Sequence, residues 1–347
     1  MKWVMADCLI LIGISLFVIF ATFVVVAYLI VVERVFSNFL CTGTWPKWSG
    51  LSGLLKPLRE FVTQCRRSEK TLPGWNIAFL GEWLTITGAI FPLVVLPLLQ
   101  SDFLSESGRF YPVSFATECK VDLLLVTGAW IVGLLGCVLR EKTIRHEAGS
   151  IMAILVATMG VISVSGSLDL DEISLSQMWA GVWWGGVQPL GLAAFLAGVA
   201  SLCVGGRAVS QDQSAKSDEC VDRLRLVVSA YLAVGLFFGG WHDVERDGVT
   251  FAGQLFDGFA LHLKALLFMA VVVWCRARAM VTIGFRLPSG LWRFAFVLGG
   301  VNLVVVLLQE QFLGPGEWLL KSATNWITLA VCLSAASLVL DRENVDA

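Results

Sequence analysis

Lys264 sits inside "LHLKALLFMAVVVWCRARA", residues 261–279, an apolar run whose other Lys and Arg residues, Arg276 and Arg278, come at its end. An ammonium in such a run has two chemistries open to it. It can pair or carry protons within a bundle of helices, or its stem can lie along apolar surface and deliver the charge to the membrane edge. Lys264 lies about seven residues, roughly 10 Å at 1.5 Å per residue, from the outer start of its helix, which leaves both open. Glu82 and Asp122 lie within or at the edges of other apolar runs and are the first carboxylates to consider beside it. Intramembrane charge is costly in hydrocarbon and persists where something uses it. The remaining candidates have simpler chemistry. Glu33 and Arg34 form an ordinary helix-end pair, and Glu60 completes a solvated face. Arg276, Arg278 and Arg293 close helix ends, where the helix dipole and anionic headgroups favour cations. Three histidines (His146, His242, His262) and nine scattered cysteines, with no Cys-x-x-Cys pair, offer no zinc, haem or iron-sulfur site. The cysteines read as small core residues, and neither a catalytic side chain nor a metal is expected.

These residues are positioned by a chain of 347 residues that is 57% hydrophobic and 15% charged, far from the roughly one-quarter charged balance of soluble domains. The mean hydropathy of +0.78 points the same way. Apolar runs cover 9–32, 77–99, 121–139, 150–166, 187–204, 226–241, 257–275, 294–312 and 323–340. Each is near the roughly 20 residues that cross a bilayer as a helix. Nothing suggests the alternating short segments of a membrane barrel, so backbone satisfaction leaves helices. The expected fold is all-α: one membrane domain over 1–347, a polytopic bundle of eight or nine transmembrane helices, with 226–241 and 323–340 the weakest spans. The first run is too long for a cleaved leader and ends in "VVER" without a small-residue cleavage site, so it is expected to stay as an anchor. Outside the runs, the even-numbered segments hold 19 of 24 Lys and Arg, which places the N-terminus outside and the C-terminus in the cytoplasm of a bacterial inner membrane.

Three cytoplasmic segments are more than connectors. The longest, 33–76, contains "LSGLLKPLREFVTQCRR", with Leu51, Leu54, Leu55, Leu58, Phe61, Val62 and Cys65 at helical spacing and most of its basic residues elsewhere on the wheel. This predicts an amphipathic helix in the membrane interface, started or kinked at Pro57, serving as an anchor or as the floor for a lipophilic ligand. The segment 205–225 is polar and rich in small residues, and 276–293 is basic. The outer loop 167–186 carries three acids and tryptophans suited to a membrane interface, and reads as a solvated loop.

A family resemblance then becomes visible. "FFGGW" at 237–241, Lys264, "WCRA" at 274–277, "WR" at 292–293 and Asn302 together resemble the C-terminal half of the H subunit of the proton-pumping NADH-quinone oxidoreductase, respiratory complex I. "VVER" at 31–34, "GLLKPLREF" at 53–61, Pro97, Asp122 with its "DLLL", and "GSLDLDEI" at 166–173 resemble the N-terminal half of the same pattern. Matches run from about 30 to 305, and the run at 323–340 is an extra C-terminal helix beyond the usual eight.

The resemblance implies a subunit of a translocase with no redox centre of its own, at the elbow between membrane arm and peripheral arm. Quinone would be the substrate, entering between the first helix, the amphipathic helix and a neighbour. NADH, FMN and iron-sulfur clusters would belong to partner subunits. On this reading the quinone cavity would be lined by Glu33, Arg34, Glu60, Phe61, Arg207 and Arg276, and the proton path would include Lys264, Glu82 and Asp122. Partners would be the other membrane-arm and peripheral-arm subunits and the lipid bilayer, with no nucleic acid. The departures fall on carboxylates: Val204 stands where the pattern has a glutamate, and Ser210 and Gln211 where it has Phe and Asp, although Arg207 keeps its register. Val281 and Ile283 replace two arginines. Glu82 stands where proline is common, and a carboxylate there could replace a lost proton carrier. Two alternatives remain: the homologous membrane subunit of an energy-converting hydrogenase or formate hydrogenlyase, and a non-catalytic anchor or transporter. An internal repeat or paired broken helices, expected of a transporter, are not found in the sequence.

Overall fold

A computed structural model describes residues 77–95, 123–139, 144–204, 214–240, 251–282, 288–313 and 317–345, with the single residues Val24, Tyr28, Val35, Phe39 and Gly43. The described regular structure is helical: α1 (Ile77–Val95), α2 (Leu123–Leu139), α3 (Ile144–Ser165), α4 (Leu170–Ala180), α5 (Trp184–Val187), α6 (Pro189–Val204), α7 (Ser214–Phe237), α8 (Phe251–Thr282), α9 (Pro288–Phe312) and α10 (Trp318–Val345). Among the described residues there is no strand. His146–Ser165 and Leu291–Phe312 are each long and apolar enough to cross a membrane, and Leu123–Leu139, Pro189–Cys203 and Phe259–Cys275 are shorter apolar helices. The proposed amphipathic helix, with Glu33, Arg34, Glu60 and Phe61, lies outside the described residues, as do Asp122 and Arg207.

The centre of the bundle is the mutual packing of α3, α6 and α9, with α7 and α8 against α6 on one side and α1 paired with α2. The α1–α2 pair can close because glycines meet at the crossing: a Cβ on Gly88 would lie 2.5 Å from the Ala129 carbonyl. Small residues at such a crossing bring backbones into dispersion contact, which is what associates helices when surrounding lipid is as apolar as the side chains. On the other side Phe195 of α6 stacks edge-on with Phe237 of α7 and Phe268 of α8.

The core is mainly apolar, but the outer faces are apolar too and several polar side chains are buried. Leu124, Ile131 and Leu135 of α2, Val297, Val304 and Leu307 of α9, and Leu319, Ile327 and Val331 of α10 are exposed. Gln177, Gln188, Arg225, Asn302, Gln309, Lys321 and Asn325 are buried. Contiguous apolar faces of this extent belong against lipid or another protein.

Three stretches depart from the sequence reading. The stretch 167–186, expected to be a solvated loop, contains α4, whose Leu170, Ile173, Ser174 and Gln177 are buried. Their i, i+3, i+4, i+7 spacing makes one helical face, and mixing polar with apolar residues on it keeps the stretch from standing out as an apolar run. The polar segment 205–225 is helical from Ser214, because Val221, Leu224 and Val228 continue the buried face of α7 below the apolar run. In 276–293, α8 continues to Thr282 and α9 begins at Pro288.

Candidate functional site

The Lys264 site begins with a backbone shape. Helix α7 ends at Phe237, and Gly239 and Gly240 follow with φ of 77° and 57°, a left-handed conformation that favours glycine. Space makes the same demand at Gly240, where a Cβ would lie 2.5 Å from the Ser174 hydroxyl. Two side chains of α4 hold this turn. The Gln177 amide oxygen accepts from the backbone N–H groups of Gly239 and Trp184, each at 3.0 Å. Its nitrogen donates to the carbonyls of Gly235 at 3.0 Å and Leu236 at 3.3 Å. Those four bonds use the full capacity of the amide. Ser174 donates to the Gly239 carbonyl.

The result is a set of carbonyl oxygens facing α8. Lys264, half-buried, donates from Nζ to the Phe238 oxygen at 2.8 Å and the Gly240 oxygen at 3.4 Å, and its ammonium lies 5.3 Å from the centre of the Trp183 ring. Carbonyl dipoles and an aromatic face both attract a cation. The lysine that could have snorkelled to the membrane edge is therefore bonded to the turn at the end of a neighbouring helix. The Phe238–Gly240 turn of "FFGGW" and Lys264, 24 to 26 positions apart along the chain, form one structural unit.

A second polar centre was not anticipated. Arg225 of α7, 4% exposed, meets Glu147 of α3 with Nη1 3.0 Å from Oε2, and Asp222 one turn earlier with Nη1 3.9 Å from Oδ1. The Cys137 thiol of α2 donates to the same Glu147 oxygen at 3.1 Å and lies 4.0 Å from Arg225 Nη2. Thr85 of α1 stands 3.9 Å from that sulfur. Residues of α3, α7 and α2 thus converge on one guanidinium, with Thr85 of α1 beside the thiol. In the sequence Arg225 closes a polar segment and Glu147 falls in a short basic one, so both read as surface charge. The signal that could have found Arg225 is its place on the α7 face marked by Val221, Leu224 and Val228. Cys137, expected to be a plain core residue, is buried but polar in its contacts.

Two further buried groups complete the polar interior. Asn302 of α9 donates to Gln188 Oε1 at 3.4 Å, and Gln188 donates to the Gly160 carbonyl at 3.2 Å, joining α9 through the start of α6 to α3. At the other end of α9, Lys321 of α10 is 2% exposed and its Nζ lies 2.7 Å from Glu310. Gln309 donates to the Lys321 carbonyl at 3.0 Å, and Ser322 to the Gly186 carbonyl at 2.7 Å. These bonds fasten α10 to the bundle.

Of the residues singled out in the sequence, the structure brings Lys264 into a defined site. Glu82 lies on α1 and Arg276 on α8, with side chains outside the described residues. Arg293 is exposed, its guanidinium 5.5 Å from the neighbouring Trp292 ring. Among the described residues no cluster of three or more His, Cys, Asp or Glu could hold a metal ion.

No family model matches the chain. The chain is similar along most of its length to curated proteins named as the H subunit of NADH-quinone oxidoreductase. That of Anoxybacillus flavithermus (strain DSM 21510 / WK1) is 25% identical, over 89% of this chain and 96% of the relative. Those of Bacillus thuringiensis (strain Al Hakam) and Bacillus cereus (strain AH187) are each 24% identical over 86% of this chain and 94% of the relative. The similarity spans nearly the whole of each relative, the extent expected of shared architecture rather than of one common segment.

Proposed function

We propose that this chain is a divergent H subunit of a proton-translocating NADH-quinone oxidoreductase, a polytopic protein of a bacterial inner membrane. It contributes part of the quinone cavity and the link from that cavity to the proton pump. The observation that carries the reading is the unit formed by the Phe238–Gly240 turn and Lys264, since the residues that bear the resemblance are the ones that bond to each other. Near-full-length similarity to curated proteins of that name supports it. So does the surface, where many large apolar side chains are exposed.

The chemistry follows from the partners. Electrons reach quinone from NADH, FMN and iron-sulfur clusters in other subunits, and this chain supplies surface and charge. Its quinone cavity is assigned to Glu33, Arg34, Glu60, Phe61, Arg207 and Arg276. Coupling runs through groups held inside the bundle: Lys264, Glu82 and Asp122, with the Glu147–Arg225–Asp222 cluster supplying carboxylates where Val204 and Gln211 lack them. Affinity purification of the tagged chain from native membranes, followed by mass spectrometry, tests the assignment. Co-recovery of NADH-binding, iron-sulfur and antiporter-like subunits is expected. Recovery of a nickel-iron large subunit instead assigns the chain to a hydrogenase-type complex, and recovery of the chain alone rejects both.

A further inference from the structure

Tyr231 of α7 and His262 of α8 face each other between two apolar helices, the hydroxyl 2.7 Å from Nδ1 and the rings edge to face with centres 5.7 Å apart. Tyr231 is 3% exposed and His262 half-buried. Neither side chain takes part in the hydrogen bonds that hold the Lys264 turn or the Arg225 cluster.

We propose that Tyr231 and His262 form a proton-holding pair in the membrane interior. In the neutral state the tyrosine O–H donates to the lone pair on Nδ1, and the imidazole carries its proton on Nε2. On uptake a proton binds Nδ1, the hydroxyl hydrogen turns away, and the phenol oxygen accepts from the new Nδ1–H. Release reverses these steps, and no covalent bond other than N–H changes. The short contact survives in both states because a hydroxyl both donates and accepts, so neither state leaves acceptor facing acceptor. A serine or asparagine could tie the two helices together equally well, whereas imidazole is the side chain whose charge changes near neutral pH.

Among the described residues, neither Tyr231 nor His262 makes an ion pair. Helices α5 and α6, which pack on α7, contain no charged residue. On α8 the neighbouring charges are Lys264, bonded to the Phe238 and Gly240 carbonyls, and Asp257, five residues before His262. On α7 they are Arg225 and Asp222, six and nine residues before Tyr231 and joined to each other, with Arg223 between them. Glu147 and His146 on α3 lie near its start, where Glu147 bonds Arg225. Asp171 and Glu172 are at the start of α4, where Glu172 accepts from Ser167, and Glu82 is on α1. An intramembrane ionisable group with a specific neutral partner is placed to carry charge transiently.

The role of the pair in energy coupling rests on the proposed function, but its protonation does not, and the test separates the two. The full chain, carrying ¹⁵N-histidine, is examined in lipid by solid-state NMR, with the His262 signals assigned by their loss in His262→Gln. We expect the neutral imidazole to carry its proton on Nε2 and to become doubly protonated as pH falls from about 8 to about 5. Tyr231→Phe should abolish the preference for Nε2. An imidazole that keeps one neutral form throughout, unchanged in Tyr231→Phe, overturns the pair. In the assembled complex, protons translocated per quinone reduced should fall in His262→Gln. A titrating imidazole with an unaltered ratio overturns the coupling role, while purification of the chain without redox partners overturns the functional assignment and leaves the titration standing.

Discussion

Lys264 and Arg225 are cations held between helices of one bundle, and the partners described for them are of opposite kinds. Arg225 is 4% exposed and meets two carboxylates and a thiol. Lys264 is half-buried and meets two backbone carbonyls and an indole ring. The first arrangement joins α7 to α3 by ion pairing and draws in the Cys137 thiol of α2, so its carboxylates depend on the charge of the guanidinium. The second rests on a turn that α4 holds through neutral hydrogen bonds, and the lysine is added to a scaffold built by Gln177 and Ser174. One site uses its cation to hold the fold together; the other holds the fold first and presents the cation.

The largest effect should therefore come from Arg225→Ala. It leaves Glu147 and Asp222 without their guanidinium, and breaking a buried pair from one side costs about 3–5 kcal/mol. Thermal unfolding of the purified chain in detergent should show a marked loss of stability, and an unchanged melting temperature would mean the carboxylates find water instead. Gln177→Leu comes next. It keeps the volume of the side chain but strands two buried N–H groups and two carbonyls, at about 1–3 kcal/mol before relaxation. The same melting experiment should show a smaller drop, together with altered reactivity at Lys264 because the turn that faces it is released. Lys264→Met should have the least effect on stability, about 1 kcal/mol, since methionine fills much of the space of the stem and the turn retains Gln177. Assembly should be intact while quinone-linked proton pumping falls in inverted vesicles, and full pumping would remove Lys264 from the proton path. If Lys264→Met destabilises the chain as much as Arg225→Ala, the contrast between the two sites fails.

Legibility followed residue type. Lys264 stood out because a charge inside a long apolar run is conspicuous, and "FFGGW" because it is one of the motifs that carry the family resemblance. Gln177 and Ser174 were hidden: a neutral amide in an acidic stretch with three tryptophans looks like loop surface. Arg225 was hidden at a boundary, where an arginine before an apolar run reads as a headgroup anchor. The difference lies in whether the residue's environment is set by its neighbours along the chain or by a helix 60 or more positions away, as for Gln177 with Gly239 and Arg225 with Glu147.

The sequence by itself determined the helical class, the apolar runs and the presence of a lysine inside one of them. Each follows from composition and periodicity, which act over one or two helical turns. Only the tertiary structure decided which polar groups become partners. Charge, hydrogen-bonding capacity and burial are combined when helices distant in sequence pack together, and no local pattern records that Arg225 meets Glu147 or that Tyr231 meets His262. In an apolar surrounding those meetings are the strongest constraints available, because each polar group left without one bears the full cost of its desolvation.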